Sequence, residues 1–293
     1  MMKFFLTGIF ISVISCIGVR AQDDLMELID KENAPVSVFT EQTFKGTRLI
    51  NGHSIETRKK GVLDVIISHR FGRLNSGAYE LFGLDESNVR LGVDYGISDR
   101  LNAGVGRNSF EKTFDGFLKY KFLRQQNSNG RNVPISVAGF SSIAVKTLRS
   151  TVPGEEPTFN SRLSYTYQAI FARKFTSSFS FQLVPTFVHR NEVLESADEN
   201  SVYAFGAGGR IKLTKRLSFN AEYYYQLNRD NEAFPNSIAV GFDIETGGHV
   251  FQLHFTNSRS MIEKGFITET AGDFFDGDIH FGFNISRTFQ LVE

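Results

Sequence analysis

From about Val62 to its end, this chain alternates apolar and polar residues in runs of roughly ten. Leu63, Val65, Ile67, His69 and Phe71 fall on one side of the first extended run. Val89, Leu91, Val93, Tyr95 and Ile97 fall on one side of the second, opposite Arg90, Gly92, Asp94 and Gly96. Successive side chains of a strand point to opposite faces, so each run has one face suited to hydrocarbon and one suited to water. A long series of such runs predicts an all-β fold: an antiparallel transmembrane β-barrel.

The series continues in the same manner. Leu101, Ala103 and Val105 mark a third strand, Phe114, Leu118, Tyr120 and Phe122 a fourth, and Ile135, Val137, Ile143 and Val145 a fifth. Six more begin near Leu163, Phe179, Tyr203, Leu217, Ile238 and Phe251, and a last runs from Ile279 to Leu291. The count is about twelve, an even number as bacterial barrels require. Pro185 interrupts the Phe179 strand and predicts a bulge or local distortion, because proline has no N–H for the ladder. Gly104, Gly106, Gly206, Gly208 and Gly209 lie inside strand patterns, with no following helix or phosphate-loop Lys, so they are expected inside, making room for larger neighbours.

Connections alternate in length. Those at Ser98-Asp99, Phe175 to Ser178, Thr214-Lys215 and Thr246 to Gly248 are short, with Gln125 to Asn132 a longer member of the set. Those at Gly72 to Ser87, Thr147 to Asn160, Asn191 to Ser201, Asn228 to Asn236 and Asn257 to Gly277 are long and polar, with one tight exception near Asn108 to Lys112. Periplasmic turns are short and outer loops long, which predicts both chain ends in the periplasm of an outer-membrane protein. A soluble sandwich has no reason to keep this parity.

The first 21 residues read as a signal peptide: Lys3, an apolar stretch from Phe4 to Ile17, and a Val19-Arg20-Ala21 cleavage site. Val13-Ile14-Ser15-Cys16 is a rival, lipoprotein-type signal. Residues 22–60 are expected to form a periplasmic leader or plug segment: Asp23 to Ala34 is acidic and reads as a short helix or a disordered leader, and Val36 to Lys60, with strand-like Val36, Val38 and Phe44 and a tight turn at Asn51-Gly52, as a periplasmic extension, a plug in the lumen or an extra strand. Residues 61–293 form the barrel. Cys16 is the single cysteine, so the mature chain excludes disulfides, zinc-thiolate sites and cysteine nucleophiles. With 32 basic and 32 acidic residues, no charge excess calls for nucleic acid. Thirty Phe and nine Tyr suit a lipid-facing band with aromatic girdles.

The stretches from Lys60 to Gly72, Leu81 to Asp85, Val89 to Leu101 and Ser109 to Lys121 resemble an uncharacterised domain-of-unknown-function family of outer-membrane β-barrels typical of Bacteroidetes. The resemblance implies location and fold. It implies no activity and carries over no functional residue. The ending Phe289-Gln-Leu-Val-Glu293 departs from the aromatic last residue of many such barrels, which bears on recognition by the insertion machinery.

No reaction chemistry is legible. Of the six histidines, His69 and His280 are expected near the closing seam but on opposite faces, so no metal site is predicted. His189 and His254 end strands at the outer side, where a hydrolase could work on lipid, and Ser258 is near in sequence. No nucleophile motif accompanies them, and no catalytic residue is assigned. The residues expected to line the lumen are Arg90, Asp94, Lys119, Lys121, Arg210, Glu222, Asp243 and Glu245. They suit either a charged-wall channel or an interior salt-bridge network that closes the barrel.

The leading expectation is therefore passage of a small polar solute. A closed barrel that supports the envelope or binds a periplasmic or surface protein partner is the alternative, and a lipid-modifying enzyme is a weaker one. The implied partners are outer-membrane lipid and the barrel-insertion machinery, with no cofactor.

Overall fold

The computed structural model describes residues 39–128, 131–150, 156–193, 199–228, 234–247 and 249–291. The expectations for the signal, the acidic stretch, Val36 and Val38 lie outside the described residues.

Twelve strands close into one antiparallel barrel. In chain order they are β1 (Val62–Arg73), β2 (Ser87–Gly96), β3 (Leu101–Asn108), β4 (Phe114–Leu123), β7 (Ser136–Val145), β8 (Leu163–Lys174), β9 (Phe179–Arg190), β10 (Ser201–Lys212), β11 (Leu217–Gln226), β12 (Ser237–Thr246), β13 (His249–Thr256) and β14 (His280–Gln290). Between β4 and β7 in sequence, β5 (Gln126–Ser128) and β6 (Arg131–Val133) form a separate two-stranded hairpin. Each barrel strand pairs with its predecessor in the barrel, and β1 pairs with β14 from Val62↔Gln290 to Arg70↔Gly282 to close the ring. Closure leaves no free edge, the condition for strands to sit in lipid.

The alternation seen in the sequence sorts the side chains as it should. Leu91, Val105, Leu118 and Phe122 stand on the outer face, each more than half exposed on the isolated chain. Asp64, Asp94, Asn102 and Lys119 point inward and are fully buried. Around Pro185 the strands keep register, Gln168↔Thr186 on one side and Phe171↔Leu183 on the other, while the pairs between them drop out of the ladder. The missing N–H thus costs local bonds without adding a bulge residue. The inward glycines do make room: a Cβ on Gly104 would lie 2.2 Å from the Phe117 ring, and one on Gly208 would lie 2.4 Å from Leu49.

Two segments outside the strands fill the barrel. Residues 39–60 rise from the short-turn end, where Lys60 N donates to Asp99 Oδ1 at 3.1 Å and Thr57 Oγ1 to the Asp99 carbonyl at 3.1 Å. The segment runs inside the barrel, in contact with the inward face of the wall. It forms no strand, and an isolated bridge, Arg48↔His53, surrounds a turn in which Leu49 N donates to the Gly52 carbonyl. From the other end, the long β13–β14 connection folds inward instead of standing in solvent as its polarity suggested. It carries α1 (Glu263–Thr268), whose six residues are all buried.

Candidate functional site

The interior has an apolar side and a polar side. Phe117, Ala138, Phe140, Ile170, Ala172, Val184 and Val188 form a continuous patch on β4, β7, β8 and β9. Phe44, Leu49 and Ile55 of the N-terminal segment pack on it, joined by Phe266 and Ile267 of α1. Burying such side chains is worth about 1.5–3 kcal/mol each, so this patch holds the segment in place without fixing its register. His53 lies in the same contact, 4.5 Å from the Phe117 ring and 4.3 Å from the Phe140 ring by centroid.

Register comes from the polar side. Thr47 Oγ1 donates to Asp94 Oδ2 at 2.7 Å, and Lys119 Nζ donates to the carbonyls of Thr47 and Ser54 at 3.2 and 3.1 Å. Glu222 accepts the main-chain N–H of Asn51 at 2.7 Å and those of Ile50 and Gly52 at 3.3 Å. Lys45 pairs with Glu245 at 2.6 Å, and Lys121 with Glu56 at 3.8 Å. Main-chain groups taken out of water need partners, and the wall supplies them at fixed points.

The eight residues expected to line the lumen thus divide. Asp94, Lys119, Lys121, Glu222 and Glu245 hold the N-terminal segment. Arg90 pairs with Asp115 of the wall, Arg210 with Ser218 and Glu245, and Asp243 accepts from Gln252 at 2.6 Å. Sequence reasoning missed Arg48, Arg70, Tyr224 and Glu263, which act with the segment's tip. The Asn51-Gly52 turn was a visible pointer to that tip. Nothing in the β13–β14 connection has a periodic pattern that would mark Glu263.

At the long-loop end, charges alternate in a chain across the mouth. Lys146 lies 2.7 Å from Glu111, Glu111 2.9 Å from Lys264, Lys264 2.7 Å from Glu269, and Glu269 3.3 Å from Arg190. Burial alone would raise the Glu111 carboxyl, but the Lys264 and Lys146 ammonium groups hold it below the usual range. Burial alone would lower Lys264, but Glu269 and Glu111 raise it.

Cavities open at both ends. One of about 320 Å³ at the long-loop end is lined by Lys146, Arg162 and Lys264, and one of about 500 Å³ at the short-turn end by Glu56, Arg58 and Lys121. Beside the segment, a separate space lined by Thr47, Asp64, Asp243 and Gln252 holds about 40 Å³, room for little more than water.

Four of the histidines sit in separate surroundings. His69 faces outward, 2.8 Å from Ser87 Oγ, while His280 is buried with Nδ1 2.9 Å from the Phe71 carbonyl. His189 Nδ1 lies 2.9 Å from Ser201 Oγ and His254 Nε2 lies 3.0 Å from Arg70 Nη2. Among the described residues, no three His, Cys, Asp or Glu converge as a metal would need.

Solved structures of outer-membrane barrels share the fold. A NanC porin superposes with a TM-score of 0.50 at 11% identity, covering 77% of this chain and 98% of the porin. KdgM porin gives 0.45 at 10% identity over 78% and 99% of the two chains. The COG4313 outer membrane channel from Pseudomonas putida F1 gives 0.47 at 13% identity over 80% and 98%. At these identities the likeness speaks for the fold alone, and it rests on the first of the three. No curated protein matches the sequence. Residues 44–289 match the family described as membrane bound beta barrel domain (DUF5777), which takes in the plugging segment from Phe44 onward together with nearly all of the barrel. This chain is a closed β-barrel and belongs to that family of membrane-bound β-barrel domains.

Proposed function

We propose that the protein is a channel for small polar solutes that rests closed, with residues 39–60 as its stopper. The short-turn end, with both chain termini, faces the periplasm, and residues 1–21 are the export signal. The observation that carries this reading is the seat of the stopper. Asp64, Asp94, Glu222, Asp243 and Gln252 are buried, polar and inward-facing, so withdrawing the stopper would uncover a wall suited to water and charge. The cavities of about 320 and 500 Å³ at the two ends, with only about 40 Å³ in the separate space beside the stopper, fit an interrupted path.

A second reading is a permanently closed barrel that supports the envelope or holds a partner. It rests on the apolar cluster of Phe44, Leu49 and Ile55 with the wall of β4, β7, β8 and β9, which opposes withdrawal. Neither reading assigns a catalytic role.

Single-channel recording of the refolded mature chain in a planar bilayer, with and without residues 22–60, separates the two. Low or intermittent conductance that becomes large and steady on truncation supports the channel. Silence from both, in protein shown to be a closed barrel by its heat-modifiable gel migration, overturns it and favours the second reading.

A further inference from the structure

The tip of the N-terminal segment and the inward-folded β13–β14 connection meet inside the barrel, and three separate bridges join them. Arg48 Nη1 donates to the Asn51 carbonyl at 3.3 Å and to Glu263 of α1 at 3.4 Å. Arg70, on the wall, donates through Nη2 to Asn51 Oδ1 at 2.6 Å, and through Nη1 to the carbonyls of Ser258 and Ser260 at 2.8 and 2.7 Å. Tyr224, also on the wall, stands between the two parts. Its hydroxyl occupies the place of a Cβ on Gly52, 2.1 Å away, and its ring meets Phe266 edge-on at 5.1 Å. Asn51, Arg70 and Glu263 are all buried, so displacing either part strands a charge or an amide of the other in a dry interior.

We infer that these two segments form one coupled closure, so that loosening the β13–β14 connection at the long-loop end frees the N-terminal segment at the other end, and the reverse. Each part is held to the barrel by contacts the other does not share. The connection has the Lys264 link to Glu111 and the Glu269 link to Arg190 of β9. The segment has the Glu222 acceptors and the Lys119 donor. A ligand or partner that pulls Lys264 out of its ion pairs therefore changes the exposure of residues some 200 positions away in sequence, as the 215-residue separation of Arg48 and Glu263 illustrates. As a gate, the closure rests on the channel reading above. As a coupling, it does not.

Cysteine reporters in the full chain test it, in a Cys16→Ser background that removes the single native thiol. Thr43→Cys reports on the segment and Thr270→Cys on the connection, both at positions buried to 3% exposure or less. Lys264→Gln, which touches only the connection's own anchor, is expected to raise the maleimide labelling rate at Thr43→Cys by roughly tenfold. Glu222→Gln, on the segment's anchor, is expected to raise the rate at Thr270→Cys by about the same factor, because equilibrium coupling is reciprocal. Phe266→Ala is a second way to loosen the connection, and heat-modifiable migration confirms a closed barrel in each variant. Faster labelling at Thr270→Cys in Lys264→Gln or Phe266→Ala, with Thr43→Cys unchanged, overturns the coupling. Conductance without cross-labelling would reject the coupling and keep the channel. Cross-labelling with electrical silence would do the opposite.

Discussion

The carboxylate of Glu222 takes the main-chain N–H of Asn51 at 2.7 Å, from a residue 171 positions earlier in the chain. That bond and its companions to Ile50 and Gly52 turn the inside of a barrel wall into an anchor for the tip of the stopper. Glu222→Ala would leave three buried N–H groups without their acceptor. A cost of about 2–4 kcal/mol on the docked state is expected, at roughly 1–3 kcal/mol for each unsatisfied group and with partial relaxation. Limited proteolysis of the folded protein should then cut within residues 39–60 while the barrel stays intact. Unchanged protection would show that the apolar patch alone secures the segment.

Gly52 faces Tyr224 too closely to carry a side chain, its added Cβ lying 2.1 Å from the hydroxyl oxygen and 3.0 Å from the ring carbon that bears it. Gly52→Ala should destabilise the docked tip by about 1–3 kcal/mol, the range for overpacking a filled interior. Tyr224→Phe removes the nearest atom, so the double variant should recover part of that loss. Gly116→Ala, whose nearest neighbours are 3.8 Å away, serves as the neutral comparison. Thermal or denaturant midpoints that fail to separate Gly52→Ala from Gly116→Ala would contradict the contact.

The charge chain at the mouth should respond to pH in a defined window. Glu111 is held below its ordinary value of 4.5, so its contribution is present above that value and is lost as pH falls through its lower folded value. Lys264 is raised above 10.5, so its contribution is full below that value and is lost as pH rises through its higher folded value. Anchoring of the β13–β14 connection should therefore stay level between about pH 5 and 10 and weaken outside that range. Hydrogen exchange or labelling at Thr270→Cys across pH reads it directly. A step near neutrality would mean that another group controls the connection.

The outer face should reject charge. Leu253 stands outward on β13, opposite Phe242 of β12 and Phe283 of β14. Leu253→Arg is expected to cost about 2–4 kcal/mol near the bilayer midplane, measured by reversible folding into lipid vesicles. The inward neighbour Gln252 donates to Asp243 and to the Leu49 carbonyl. Gln252→Leu should leave insertion unchanged and loosen the stopper instead. Equal losses of insertion in both variants would contradict the assignment of faces.

Much of this architecture is legible in the order of residues because it is governed by local geometry. A period of two puts Leu91 and Val93 on one face and Arg90 and Asp94 on the other, whatever the neighbouring strands do. The parity of loop lengths then orders the strands into hairpins, and lipid on one side requires that the row close. The strand count, the faces and the outward aromatic band follow from these constraints.

The contents of the barrel follow from none of them. An inward Glu222 or Lys119 satisfies the alternation equally well against water, against a salt-bridge partner across the lumen, or against a main-chain amide. Residues 39–60 have no period, and the β13–β14 connection has the polarity of an exposed loop. What seats them is a set of contacts between positions far apart in sequence, such as Arg48 with Glu263, Lys119 with Thr47 and Phe266 with Tyr224. Those contacts exist only once twelve strands have closed and enclosed a volume that has to be filled. The chain's alternation thus decides that there is a wall with two faces. The closed tertiary structure decides that the wall's polar face binds the protein's own N-terminal segment, because only there do buried main-chain groups and fixed wall charges meet.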